Sequence, residues 1–185
     1  MAHEDVVMAG FGGQGLLAIG KILAKAAMEE GRQVTWFPAY GPEMRGGTAN
    51  CVVVIDDEPI GSPISPRPRA ALVMNKQSID KFEETVQPGG LIVVNTSLID
   101  RKVKRTDVQV VYVAATELAD QEGTSKAANL VMLGAYCGAK ELVKQDTVEH
   151  AIEATFAGKK AELVQTNLRA FRRGFELAAA GATSH

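Results

Sequence analysis

The feature that most constrains this chain is its opening. A short apolar run, Asp5-Val6-Val7-Met8-Ala9-Gly10, passes into the turn Gly10-Phe11-Gly12-Gly13-Gln14-Gly15, and the turn opens onto a helical stripe of Leu16, Ile19, Leu23 and Ala27. An apolar run of that length ending in glycine reads as a strand covered on both faces, the signature of a parallel strand. Gly31 stops the helix. Val34-Thr35-Trp36-Phe37 follows as a second strand, closed by Pro38. Strand, glycine turn, helix and strand in that order require an α/β fold with an at least partly parallel sheet.

The rest of the chain extends this pattern. Residues 38–50 read as loop, because Pro38, Gly41, Pro42, Gly46 and Gly47 crowd a short span. Strands are expected at 51–55, 70–74, 91–95 and 108–113, with a turn at Asp56-Asp57 and a proline-stiffened connector over 62–68. Ser78 is placed as the cap of a short helix running through Thr85. The second half is mostly helical. Residues 126–142 are apolar almost all round and form a buried helix or, in part, an interface. Within it Gly134 and Gly138 lie one turn apart, which allows another backbone to approach. A shorter helix spans 147–156. The last is striped by Leu168, Phe171 and Phe175, with Arg169, Arg172 and Arg173 on its wet side and fraying over 178–185. The expectation is one domain over 1–185: a three-layer α/β/α arrangement, its central sheet mostly parallel or mixed, with a Rossmann-like opening.

Composition narrows the function. The formal net charge of −2 leaves no basic field for a nucleic-acid backbone. No run approaches the roughly 18 apolar residues a membrane span needs. No basic segment precedes the first apolar run, so no signal peptide is expected. Cys51 and Cys137 are far apart and form no CxxC pair. A disulfide framework, a zinc site and an iron–sulfur site built by this chain alone are therefore not expected, and the cytoplasm is the expected location. His3 and His185 sit at the ends and His150 in a wet helix. No catalytic residue and no metal ligand is assigned.

Two segments are candidate binding elements. Gly10, Gly12, Gly13, Gln14 and Gly15 match GxGxxG between a strand and a helix, where glycine allows a tight turn and the helix N-terminus offers N–H groups to an anion. The bland alternative is a tight β–α turn and nothing more. A dinucleotide site also needs an acidic residue at the end of the second strand, yet Trp36-Phe37-Pro38-Ala39-Tyr40 has none. The second segment is Tyr40-Gly41-Pro42-Glu43-Met44-Arg45-Gly46-Gly47-Thr48-Ala49-Asn50. Arg45 suits a phosphate or carboxylate through paired N–H bonds. A Glu43–Arg45 pair that only braces the loop is the alternative. If the strands run parallel, both segments leave the sheet at the same edge, where ligands gather.

These motifs, with Pro59-Ile60-Gly61-Ser62-Pro63, Met74-Asn75-Lys76-Gln77-Ser78, Pro88-Gly89-Gly90 and Asn129-Leu130-Val131-Met132-Leu133-Gly134-Ala135, resemble in order the gamma subunit of the 2-oxoacid:ferredoxin oxidoreductases over roughly residues 5–140. Glu43-Met44-Arg45-Gly46-Gly47-Thr48-Ala49-Asn50 looks closer to the 2-oxoglutarate type than to the pyruvate type. The resemblance implies a non-catalytic subunit of a complex that decarboxylates a 2-oxoacid to acyl-coenzyme A and passes electrons to ferredoxin. It implies alpha and beta partners, with a ferredoxin-like delta subunit as a further candidate, and places thiamine diphosphate, Mg²⁺ and iron–sulfur clusters on them. Coenzyme A is then the candidate ligand of the loops carrying Gly10, Gly12, Gly13, Gln14, Gly15, Tyr40, Glu43, Arg45, Gly46, Gly47 and Thr48. Indolepyruvate- or pyruvate-type subunits and a free-standing nucleotide-binding oxidoreductase remain as alternatives.

Overall fold

The computed structural model describes residues 3–40 and 48–181. Among them six strands form one mixed sheet: β1 (Glu4–Phe11), β2 (Gln33–Tyr40), β3 (Thr48–Asp56), β4 (Ala70–Val73), β5 (Leu91–Asn95) and β6 (Gln109–Val113), in the spatial order β2-β3-β1-β4-β5-β6. β1, β4, β5 and β6 run parallel, and β3 lies antiparallel between β1 and β2. The α/β reading holds, and the sheet is the mixed one of the two expected forms.

The layers on the two faces are unequal. One face carries α1 (Leu16–Glu29), α3 (Ala115–Gln121), α4 (Ala128–Lys140), α5 (Gln145–Thr155) and α6 (Ala161–Ala179), which share a core with Val6, Met8, Cys51, Val53, Leu72, Val93 and Val111. The other face carries α2 (Lys76–Phe82), whose Ile79 joins Val7, Ala71, Val73, Ile92, Val94 and Val110. Odd and even positions of β1 thus feed different cores, so both faces of the strand are covered, as its unbroken apolar run requires. The α1 stripe is buried at Leu16, Ile19, Leu23 and Ala27. The helix ends where the Gly31 N–H reaches the Met28 carbonyl and Arg32 the Ala27 carbonyl, with Gly31 at φ 79°.

Several expectations need correction. β2 runs through Pro38, which pairs opposite Cys51; it is an edge strand, the position where a missing N–H is tolerated. β3 starts at Thr48 rather than Cys51. The cap of α2 is Asn75, whose Oδ1 accepts the Ser78 N–H and Ser78 hydroxyl; Ser78 is the capped residue, and a 3-10 turn at Glu83–Thr85 finishes the segment. Helix α3 was not anticipated, because residues 115–121 carry too few large apolar side chains to show a stripe. The helix expected over 126–142 divides into a 3-10 turn, Ser125–Ala127, and α4. Its Gly134 and Gly138 lie under the backbone of α6, so α4 is a core helix. α6 continues to Ala179, and residues 182–185 of the end expected to fray lie outside the described residues; His3, at the N-terminal end, pairs with Asp56 at 2.5 Å through Nδ1.

Candidate functional site

The antiparallel insertion of β3 creates the site's geometry. Phe11 pairs opposite Thr48, and Tyr40 opposite Ala49. The glycine turn leaving β1, the end of β2 and the start of β3 therefore meet at one edge of the sheet, which is also the carboxyl edge of β4, β5 and β6. Of the candidate residues, Gly10, Gly12, Gly13, Gln14, Gly15, Tyr40 and Thr48 come together there. Glu43, Arg45, Gly46 and Gly47 lie outside the described residues. β3 also keeps β2 from lying beside β1, so the adjacent-strand arrangement that places an acidic residue on a dinucleotide ribose is absent from the described fold.

The turn is held from several sides. Gln14 folds back so that its Oε1 accepts the Phe11 N–H at 2.6 Å, with Asn75 Nδ2 at 3.5 Å. Asn75 follows β4, the parallel neighbour of β1, so this contact bridges the two strands between which the chain changes direction of travel. Gly10 has no room for more: a Cβ there would meet Gln14 Oε1 at 2.4 Å and Met74 Cβ at 2.9 Å. Gly15, at φ 73°, starts α1, and a Cβ on it would fall 2.4 Å from Asn129 Nδ2, which donates to the Gly15 carbonyl at 3.0 Å. Gly10 and Gly15 thus serve packing. Gly13 is different, with φ 93° and open space where a Cβ would be.

One further buried asparagine, Asn95, completes the edge. Asn75 caps α2. Asn95, fully buried at the end of β5, accepts from the Ser97 and Ala115 N–H groups and donates at 3.4 Å to the Met74 carbonyl and to Thr116. With Asn129 they tie the loops after β1, β4, β5 and β6 to one another. Buried amides satisfied on both ends fix loop positions because leaving them unpaired costs more than forming them gains.

The loops enclose a cleft of about 460 Å³ lined by Gly13, Gln14, Met74, Leu98, Thr116, Ser125, Lys126 and Ala128. Leu98, Thr116, Ser125 and Lys126 were not foreseen, since they join the glycine turn only through tertiary contacts. The one local signal was Thr124, whose side chain caps the 3-10 turn by accepting the Lys126 N–H at 3.3 Å. Among the described residues the lining offers hydroxyl, amide and ammonium groups and no histidine, cysteine or carboxylate. Cys51 and Cys137 are buried, and burial pushes both thiols up to about 12. His150 is exposed at a second cleft beside Glu29 and Glu30, at the other end of α1. Among the described residues no group of His, Cys, Asp and Glu is arranged to hold a metal ion, and no helix is long and apolar enough to cross a membrane.

The fold and edge define an open-sheet α/β protein with a cleft at the carboxyl ends of its parallel strands, lined among the described residues by hydroxyl, amide and ammonium groups. The chain belongs to the pyruvate ferredoxin/flavodoxin oxidoreductase family, whose model matches residues 5–177. It is 41% identical over 174 residues to ketoisovalerate oxidoreductase subunit VorA of Methanothermobacter thermautotrophicus, covering 94% of this chain and 36% of that relative. The chain thus spans about a third of the length of the VorA proteins it matches. It is 33% identical over 179 residues to 2-oxoglutarate synthase subunit KorC of Methanocaldococcus jannaschii, covering 95% of this chain and 94% of that one. The crystal structure of the keto/oxoacid ferredoxin oxidoreductase gamma subunit from Geobacter sulfurreducens PCA superposes with a TM-score of 0.86 at 28% identity over 100% of both chains.

Proposed function

We propose that this chain is the gamma-type subunit of a multi-subunit 2-oxoacid:ferredoxin oxidoreductase, with 2-oxoglutarate as the oxoacid. The assembled complex decarboxylates the oxoacid oxidatively to acyl-coenzyme A, and ferredoxin takes the electrons. Alpha and beta subunits, with a ferredoxin-like delta subunit as a further partner, hold thiamine diphosphate, Mg²⁺ and the iron–sulfur clusters. Two buried thiols do not fit an iron–sulfur cluster, so no electron-transfer step is routed through this chain. Its part is assembly and closure over the coenzyme A path, in the cytoplasm.

The observation that supports this reading is the shared edge: Phe11 opposite Thr48 and Tyr40 opposite Ala49 bring the glycine turn, the end of β2 and the start of β3 to one side of the sheet. Family membership supports it. A second reading, a branched-chain oxoacid, is favoured by the higher identity to the ketoisovalerate subunit.

The test is to isolate the native complex through this chain and supply 2-oxoglutarate, ketoisovalerate, pyruvate or indolepyruvate as the sole oxoacid, with a viologen dye as acceptor. Fastest turnover with 2-oxoglutarate is expected, and none by the isolated chain. In the complex, Arg45→Ala raises the coenzyme A concentration needed for half-maximal rate. Unchanged coenzyme A dependence with unchanged assembly removes the closure role, and turnover by the solitary chain removes the assignment.

A further inference from the structure

We propose that the outer edge of β6 is a docking surface for an extended acidic segment of a different protein chain, which joins the six-stranded sheet as a further strand and sets its carboxylates against Lys102 and Lys104. This surface lies at the far edge of the sheet from β2 and is separate from the cleft at the glycine turn.

Open backbone is the first argument. β6 ends the strand order, with β5 on its one side. The Gln109 N–H donates to the Gly90 carbonyl and the Val113 carbonyl accepts the Thr96 N–H, so the odd-numbered residues of β6 face β5. In a parallel ladder the residues between them turn their N–H and C=O groups the other way. Those residues are Val110 and Tyr112, and among the described residues their backbone groups have no backbone partner beyond the edge. An edge of this kind accepts a strand through main-chain hydrogen bonds.

Charge selects the occupant. Residues 101–105 alternate, with Arg101, Val103 and Arg105 half-buried and Lys102 and Lys104 exposed. The inward arginines tie the segment down, Arg101 to Asp80 at 2.8 Å and Glu83 at 2.7 Å, and Arg105 to Asp107 at 2.8 Å. The outward lysines have no ion pair among the described residues, and Lys102 rests its ammonium 4.1 Å from the centre of the Tyr112 ring. Both line a cleft of about 390 Å³ between this segment and β6, which among the described residues holds no carboxylate. Two lysines beside an open edge repel a second copy of the chain, which brings the same charges, and attract a segment that carries acid.

The third argument is shape. Val103, Val108, Val110 and Tyr112 give the cleft an apolar floor. A strand laid along the five residues of β6 puts alternate side chains on this face. Glutamate at those positions lays its methylene groups on the floor and reaches the ammonium groups with its carboxylate.

A blocked hexapeptide alternating glutamate and threonine is titrated into the full chain, followed by amide chemical shifts and amide exchange. The peptide is expected to bind, to slow exchange of the Val110 and Tyr112 amides, and to lose affinity as salt rises. Proline in place of the threonines removes main-chain donors and abolishes binding, as does lysine in place of the glutamates. Lys102→Gln combined with Lys104→Gln weakens binding about tenfold; both side chains are exposed, so the variant folds. No binding, binding without slowed exchange at Val110 and Tyr112, or unchanged affinity in the double variant overturns the proposal. So does a short oligothymidylate that binds as tightly as the peptide, which marks a plain cationic patch. Slowed exchange of the same two amides as the concentration of the chain alone rises makes the occupant a second copy and overturns it as well.

Discussion

Gly134 and Gly174 meet across the α4–α6 crossing, each under a carbonyl of the other helix. A Cβ on Gly134 would lie 2.0 Å from the Phe171 oxygen, and one on Gly174 would lie 1.9 Å from the Val131 oxygen. The two helices touch backbone to backbone, and Phe171, fully buried, fills the space beside the crossing. α4 in turn carries Asn129, which donates to the Gly15 carbonyl, so this crossing is mechanically connected to the glycine turn.

Gly134→Ala and Gly174→Ala should each destabilise the chain by about 3 kcal/mol or more, because a backbone carbonyl cannot move aside as a side chain can and the helices must separate. Gly13→Ala meets no atom and pays only for its positive φ, about 1–2 kcal/mol. Urea melts of the three variants check the ranking. A Gly134→Ala protein as stable as the wild type would mean that α4 and α6 do not cross this way.

Two carboxylates should give stability opposite slopes against pH. Burial, the largest influence, pushes the Glu4 carboxyl up from its ordinary value of 4.5, although Lys140 beside it opposes the shift. The folded state then binds that proton more tightly than the unfolded state, so its contribution is most favourable below 4.5 and is lost as pH rises through the folded-state value. The Arg172 guanidinium, bonded at 2.6 and 3.0 Å, holds Glu149 below its ordinary 4.5. That pair stabilises above 4.5 and is lost as pH falls through the lowered value. Glu4→Gln should therefore gain stability over the wild type at pH 7, with the gain shrinking toward pH 4.5. Arg172→Ala should lose no more than about 0.5 kcal/mol at pH 7, since Arg172 is partly exposed, and less in acid. Denaturant midpoints from pH 4 to 8 check both.

Cys51 and Cys137 should be inert in the folded chain. Burial pushes both thiols up to about 12, so the nucleophilic thiolate is scarce at pH 8. Cys51 also donates weakly to the Leu16 carbonyl at 3.5 Å and packs where a Cβ on Gly20 would strike it at 2.6 Å. A disulfide-exchange dye should label neither thiol in native buffer and both in denaturant. Fast labelling of the folded chain would contradict the packing of β3 on α1.

What the sequence by itself determined was local. Apolar runs and glycine stops located β1, α1, β5 and β6 to within a residue or so, because period and turn chemistry act between near neighbours. The GxGxxG turn and the proline- and glycine-rich segment after β2 stood out for the same reason. Tertiary structure alone decided that β3 would enter antiparallel beside β1, that Pro38 would lie within an edge strand, and that Asn75 rather than Ser78 would cap α2. It also decided which glycines serve packing and which faces a cleft, and it brought Lys126 to Gly13 across more than a hundred residues. Those choices depend on which distant surfaces bury each other, and no window of neighbouring residues carries that information.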